Sequence, residues 1–170
     1  GLGDVYKRQP LLLADRSACL RWLVLRELLA APESDPEVGE LAALRERDSL
    51  VAPLLAAQDE DGAWRRGDPA WQGDARRITT LALMRLGYLG FSADHPAVVA
   101  GAAYLFSLQR EDGAWSATQV PDEDEEGEGY SMIPLQTALP LRALAMCGYA
   151  TDPRAAVSYT HLTLPTNREV

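Results

Sequence analysis

Two eleven-residue segments of this chain repeat one pattern at a constant spacing. Residues 54–64 and 105–115 both run from leucine to tryptophan, and they share a glutamine, an Asp-Gly-Ala triplet and the final tryptophan, each 51 residues apart. A period of this length is typical of stacked supersecondary units, each of which buries its apolar face against the next. The repeat therefore limits the fold to an array of similar modules.

A second pattern alternates with the first. It is an apolar helical stretch that closes on Asp-Pro or His-Pro, and it occurs at residues 17–36, 76–96 and 137–153. Proline suits the first position of the following helix because its missing amide would be unpaired there. We expect Gly62 and Gly113 to leave a helix through a left-handed backbone conformation. The chain thus predicts a helix, an Asp-Pro turn, a helix, a Gln-x3-Gly-x-Trp turn and the same order again.

The predicted helices are apolar around most of their circumference, which indicates burial on more than one side. No segment alternates apolar and polar residues with a period of two, so we predict no strand. The expected fold class is all-α, with helical hairpins stacked in layers. Pro140 lacks an amide in the middle of the third of these apolar helical stretches, residues 137–153, and should bend or split that helix.

Both ends of the chain look foreign to the protein. Residues 4–9 back-translate to GATGTGTATAAGAGACAG, and residues 157–162 can be read from the reverse complement of that string. This oligonucleotide is the transposase adaptor of sequencing libraries, and Lys7 and Asn167, the single lysine and asparagine, lie within these ends. We therefore assign residues 1–9 and 157–170 to adaptor and residues 10–156 to a partial native domain.

Composition excludes several classes of function. A net charge of −9 repels phosphate backbones at long range, so we expect no nucleic-acid partner. Cys19 and Cys147 form neither a Cys-x-x-Cys pair nor a Cys/His cluster, which leaves the reducing cytoplasm as the default location. The most apolar run, residues 97–108, has about half the length of a membrane span, so we predict no transmembrane segment.

Residues 101–115 resemble the QW motif of triterpene cyclases, in which a small residue and an aromatic residue precede Gln-x3-Gly-x-Trp. Residues 137–144 are similar to the Thr-Ala-x4-Ala-Leu inner helices that follow such motifs. The resemblance is to the terpenoid cyclase and protein prenyltransferase superfamily. It implies an incomplete α/α-toroid, a ring of inner and outer helices around an apolar cavity. It also implies that the motif residues are structural ties between hairpins: Gln58, Gly62, Trp64, Gln109, Gly113 and Trp115.

The residues that carry chemistry in that superfamily are missing from the sequence. Squalene-hopene cyclases place an Asp-x-Asp-Asp run before the Thr-Ala of one inner helix, where this chain has residues 76–79 and 133–136 without an acid. Protein prenyltransferases hold zinc through Asp, Cys and His. Outside the adaptor segments His95 is the single histidine, and it is expected in a turn. We therefore predict no catalytic residue, no metal ligand and no cofactor in this part of the chain.

Three arginines are the most specific candidates for a binding site. Arg26, Arg85 and Arg142 each lie five residues after a matching position of an inner helix, at Arg21, Thr80 and Thr137. The resemblance implies that this helix face lines the cavity. A planar guanidinium is suited to a diphosphate or a carboxylate. The alternative is that these arginines pair with acids of the adjacent hairpin.

The other candidate residues are more typical of structural roles. The acidic run at residues 122–128 is more typical of a solvated loop than of a cation cage, because consecutive carboxylates repel one another. Trp64 and Trp115 are expected to pack the turns rather than stabilise a carbocation.

The function we expect is enclosure of an isoprenoid or other lipid-like small molecule. The competing hypothesis is a non-catalytic helical scaffold that binds a protein or peptide.

Overall fold

A computed structural model of the chain describes residues 12–66, 73–115 and 133–163. Over these residues the protein is all-α, as predicted, with seven α-helices and no strand. None of the seven has both the length and the apolar character needed to cross a bilayer. The chain divides into two compact units, residues 1–58 and 59–170. Closure of the hairpins into a toroid stays a prediction.

Three helices are described in the first unit. Helix α1 (Ala18–Leu23) is capped by Ser17 and runs on through a π-helical turn, Val24–Leu28. Helix α2 (Pro36–Leu44) is capped by Asp35 and continues as a 3₁₀ turn, and α3 is short (Ala52–Ala56). Helices α1 and α2 pack together around a small core of Leu25, Val38 and Leu41.

In the second unit the described residues form two hairpins. Helix α4 (Ala75–Tyr88) is followed by α5 (Pro96–Ser107), and α6 (Ile133–Leu144) with its π-helical turn Ala145–Tyr149 is followed by α7 (Pro153–Thr163). Helix α4 packs against both α5 and α6, and α6 packs against α7. Helices α4 and α6 thus lie side by side. The first helix of each hairpin is called its inner helix and the second its outer helix, as names for chain order. Residues 157–163, which the sequence analysis assigned to adaptor, form the end of α7.

All three predicted hairpins are present, and their turns share one backbone feature. A residue with positive φ lies within two residues of the end of each inner helix: Ala30 at 51°, Gly90 at 76° and Gly148 at 93°. The chain then reverses and enters an outer helix through Asp35, His95 or Asp152. Each of these side chains accepts a hydrogen bond from the backbone N–H two residues later. The Asp-Pro and His-Pro signals therefore located these helix starts correctly.

Two local expectations differ from the structure. Helix α6 runs unbroken through the buried Pro140, so the split, one of the two predicted effects of this proline, does not occur. Packing of α6 against α4 and α7 outweighs the loss of one amide. The outer helix of the first hairpin is interrupted instead. Gln58 lies 22 residues after Pro36, whereas Gln109 lies 13 residues after Pro96, and the extra residues form the 3₁₀ turn and the loop before α3.

Candidate functional site

The two Gly-Ala-Trp turns, residues 59–64 and 110–115, have the same geometry. In each, the glycine has φ 84°, and its N–H donates to the carbonyl three residues earlier at 2.9 Å. The N–H of that earlier residue donates to the alanine carbonyl, again at 2.9 Å. The matched residues are Asp59, Gly62 and Ala63 in one turn and Arg110, Gly113 and Ala114 in the other. The sequence repeat is therefore a repeat of backbone conformation.

Both tryptophans of these turns are fully buried. The Trp64 N–H donates to Thr79 Oγ1 at 2.9 Å, and the Trp115 N–H donates to Thr137 Oγ1 at 3.3 Å. Both threonines are also buried. The Trp115 indole N–H donates to the Leu105 carbonyl at 2.7 Å. Trp115 thus joins the end of α5 to α6, and Trp64 ties its turn to α4. These contacts are structural.

The glycines and the glutamine connect each turn to the next outer helix. A Cβ at Gly62 would overlap the backbone of Ala100 in α5, and one at Gly113 would lie 2.7 Å from the backbone of α7. Gln109 Nε2 donates to the Arg154 carbonyl at 2.9 Å and to Ser158 Oγ at 2.7 Å. Gln58 ends the first unit, with its N–H directed at the Leu55 carbonyl at 3.3 Å.

Arg76 occupies a place where the resemblance led us to look for a catalytic acid. Its guanidinium donates to the Trp115 carbonyl at 3.0 Å and lies 3.6 Å from the Asp74 carboxylate. The side chain is 14% exposed, so it is largely withdrawn from solvent. Arg76 therefore ties α4 to the turn of the next hairpin. Sequence reasoning missed this role, because nothing in the local pattern identifies the acceptor 39 residues away.

The three predicted arginines do not hold equivalent positions. Thr137 matches Thr79 by its hydrogen bond to a turn, whereas the sequence comparison paired it with Thr80. Arg85 therefore lies six residues after its threonine and Arg142 lies five after its own. One residue of a helix corresponds to about 100° of rotation, so the two side chains leave their helices in different directions.

Arg26 lies in the first unit and contacts its own hairpin. It donates to the Ala31 carbonyl at 2.7 Å and to the Glu33 carboxylate at 3.2 Å. Its acid partner belongs to its own hairpin, whereas the alternative hypothesis expected an acid of the adjacent hairpin. A binding role for Arg26 stays a prediction.

Arg142 contacts a tyrosine instead of an acid. Its guanidinium donates to the Tyr88 hydroxyl at 2.6 Å, and its Cζ lies 6.0 Å from the centre of that ring. Both side chains are exposed, and Tyr88 is 56% accessible. Arg85 is half-buried and lies one turn before Tyr88 on α4. Sequence reasoning identified Arg142 but not Tyr88, because the contact joins two helices 54 residues apart.

Acidic and basic residues are unevenly distributed over the helices of the second unit. The chain has 25 acidic residues against 16 basic ones, yet α4, α5 and α6 contain no aspartate or glutamate. All four arginines of these helices belong to the inner pair: Arg76, Arg77 and Arg85 in α4, and Arg142 in α6. Leu81 and Met84 lie half-buried among them on α4. The inner helices therefore present apolar and basic side chains together.

The first unit contains a separate buried polar cluster around Asp48. Its carboxylate accepts hydrogen bonds from the Ser17 hydroxyl at 2.7 Å, the Cys19 N–H at 3.1 Å and the Leu50 N–H at 2.9 Å. Burial favours the protonated acid, but these hydrogen bonds outweigh burial and hold the pKa of Asp48 below its usual value. Arg45 stacks on Trp22 at 3.8 Å. The cluster fixes the inserted 3₁₀ turn against α1.

The remaining candidate residues either have structural roles or lie outside the part of the chain that the structure describes. Both cysteines are buried and free, and burial raises the pKa of Cys147 to about 11. His95 caps α5 and packs edge-on against Phe91 at a ring distance of 5.1 Å. Within residues 12–66, 73–115 and 133–163 no group of His, Cys, Asp and Glu could hold a metal ion. The acidic run at 122–128 and residues 1–9 lie outside the described residues.

Comparison with known proteins found no matching family model, curated protein or solved structure.

Proposed function

We propose that this chain is part of a prenyltransferase- or squalene-cyclase-like repeat protein that encloses an isoprenoid or other lipid-like ligand. The observation that carries the proposal is the pairing of the inner helices α4 and α6, which present apolar and basic side chains without any acid. The matched Gly-Ala-Trp turns support it, because they share one backbone geometry and each bonds to a threonine of the helix that follows.

The proposed activity is binding rather than chemistry. The four positions that correspond to the cyclase Asp-x-Asp-Asp run, residues 76–79, contain no acid, and the first of them, Arg76, is bonded to the Trp115 carbonyl. A guanidinium remains charged at any physiological pH and cannot protonate an alkene. Two buried, free thiols fit the reducing cytoplasm that we propose as the location.

Native mass spectrometry of the purified chain tests this proposal. We expect the chain to retain a polyprenyl or lipid mass that organic solvent removes, and the stripped protein to bind farnesol. Leu81→Glu places a charge on the half-buried inner-helix surface and should weaken farnesol binding at least tenfold. Leu108→Glu is the matched control, because Leu108 follows an outer helix and is 41% exposed.

Three outcomes would count against the proposal. A chain that neither retains a lipid nor binds farnesol contradicts the proposal, as does equal weakening by the two glutamate variants. Retention of a peptide mass in place of a lipid would favour the competing scaffold hypothesis.

A further inference from the structure

The contact between Arg142 and Tyr88 leaves hydrogen-bond donors of this pair unused within the part of the chain that the structure describes. Arg142 has five N–H donors, and one of its nitrogens is used by the Tyr88 hydroxyl at 2.6 Å. The tyrosine oxygen accepts in this bond, so its own O–H proton is available for a further acceptor. Among residues 12–66, 73–115 and 133–163, no carboxylate pairs with this guanidinium and no acceptor takes the phenol proton. The pair thus offers a cation and a neutral donor side by side.

We propose that Tyr88 and Arg142 bind the carboxylate head group of an acidic lipid, while the apolar inner-helix surface holds its tail. This inference rests on the proposed function and assigns the chemical class of the ligand. One guanidinium balances the single charge of a carboxylate, and a guanidinium with an adjacent phenol matches the two oxygens of that planar group. Tyr88 is a positioning residue as well, because its oxygen holds Arg142 across the gap between α4 and α6.

Two observations favour a carboxylate over a diphosphate. The structure places Arg142 against Tyr88, and Arg85 leaves its helix in a different direction, so matched arginines do not form the two sides of a clamp. A diphosphate carries several negative charges, which proteins commonly balance with a divalent cation held by carboxylates. Helices α4 and α6 have no carboxylate to hold one.

Titration calorimetry at pH 8 with three twelve-carbon probes, each kept at concentrations where it is monomeric, distinguishes a carboxylate head group from a neutral or a phosphate head group. We expect the full chain to bind dodecanoate about tenfold more tightly than dodecanol, because the carboxylate adds one pair of charge-assisted hydrogen bonds. Dodecanoate should also bind more tightly than dodecyl phosphate. Arg142→Gln should remove the preference for dodecanoate and leave dodecanol affinity unchanged. Tyr88→Phe should reduce the preference about threefold to fivefold. Because both side chains are exposed, neither variant should lose its helical circular dichroism.

Arg77→Gln is the matched control, since it removes the same charge eleven residues from Tyr88 on the same helix and should leave the preference intact. Equal binding of dodecanoate and dodecanol overturns the inference and leaves the proposed function standing. Tighter binding of dodecyl phosphate overturns the carboxylate assignment. Absence of binding by all three probes overturns the proposed function and the inference together.

Discussion

The Gly62→Ala substitution tests the repeat at the point where its geometry is most restrictive. Gly62 has φ 84°, a conformation that costs an alanine about 1–2 kcal/mol. The new methyl group would overlap the Ala100 carbonyl oxygen and lie 2.6 Å from its carbon, so the turn must move away from α5. Overpacking of this kind costs a further 1–3 kcal/mol, roughly. The expected loss of unfolding free energy is therefore about 2–5 kcal/mol.

Urea denaturation followed by circular dichroism and tryptophan fluorescence measures this loss, and thermal melting should show a decrease of about 4–20 °C. Gly39→Ala is the control. Gly39 lies inside α2, and a Cβ there would have no neighbour within 4 Å, so alanine should stabilise the helix by about 0.5–1 kcal/mol. The reasoning is refuted if Gly62→Ala unfolds within about 0.5 kcal/mol of the parent while Gly39→Ala behaves as expected.

Two further predictions concern buried hydrogen bonds. Thr79→Val leaves the Trp64 N–H without its acceptor and should cost about 1–3 kcal/mol in urea denaturation, whereas Thr80→Val should cost less, because the Thr80 hydroxyl bonds to a carbonyl of its own helix. Equal effects would contradict a special role for the Thr79 contact. Asp48 has a folded-state pKa below its usual 3.8, so the stability it contributes is present above that pH and is lost as the pH falls further. Asp48→Asn should lower stability at pH 7 and flatten the acid-induced decline, and an unchanged pH profile would argue against this linkage.

The parts of the fold that the sequence predicted correctly depend on local chemistry. Proline after an N-capping side chain marks a helix start wherever it occurs, and Gly62 and Gly113 adopt the left-handed conformation that the pattern required. The offset of 51 residues between the turns also has a direct backbone counterpart. These signals are carried by a few neighbouring residues, so no knowledge of distant contacts is needed to interpret them.

The features that sequence reasoning missed depend on contacts between distant segments. Thr79 and Thr80 are adjacent and identical in type, and a hydrogen bond to Trp64 decides which of them matches Thr137. That one-residue difference changes the direction of Arg85 relative to Arg142. Packing likewise decides that the helix continues through Pro140. The contact of Tyr88 with Arg142 follows from the side-by-side placement of two helices and has no local signature.

The peptide groups of Trp115 have a consequence for how such a protein can vary in length. The carbonyl accepts from Arg76 of the preceding hairpin, while the N–H donates to Thr137 of the following helix. Removal of a single helix would leave either the buried N–H or the buried carbonyl of Trp115 without its hydrogen-bond partner. Insertions and deletions should therefore be tolerated as complete two-helix modules, or in surface loops, and not as individual helices.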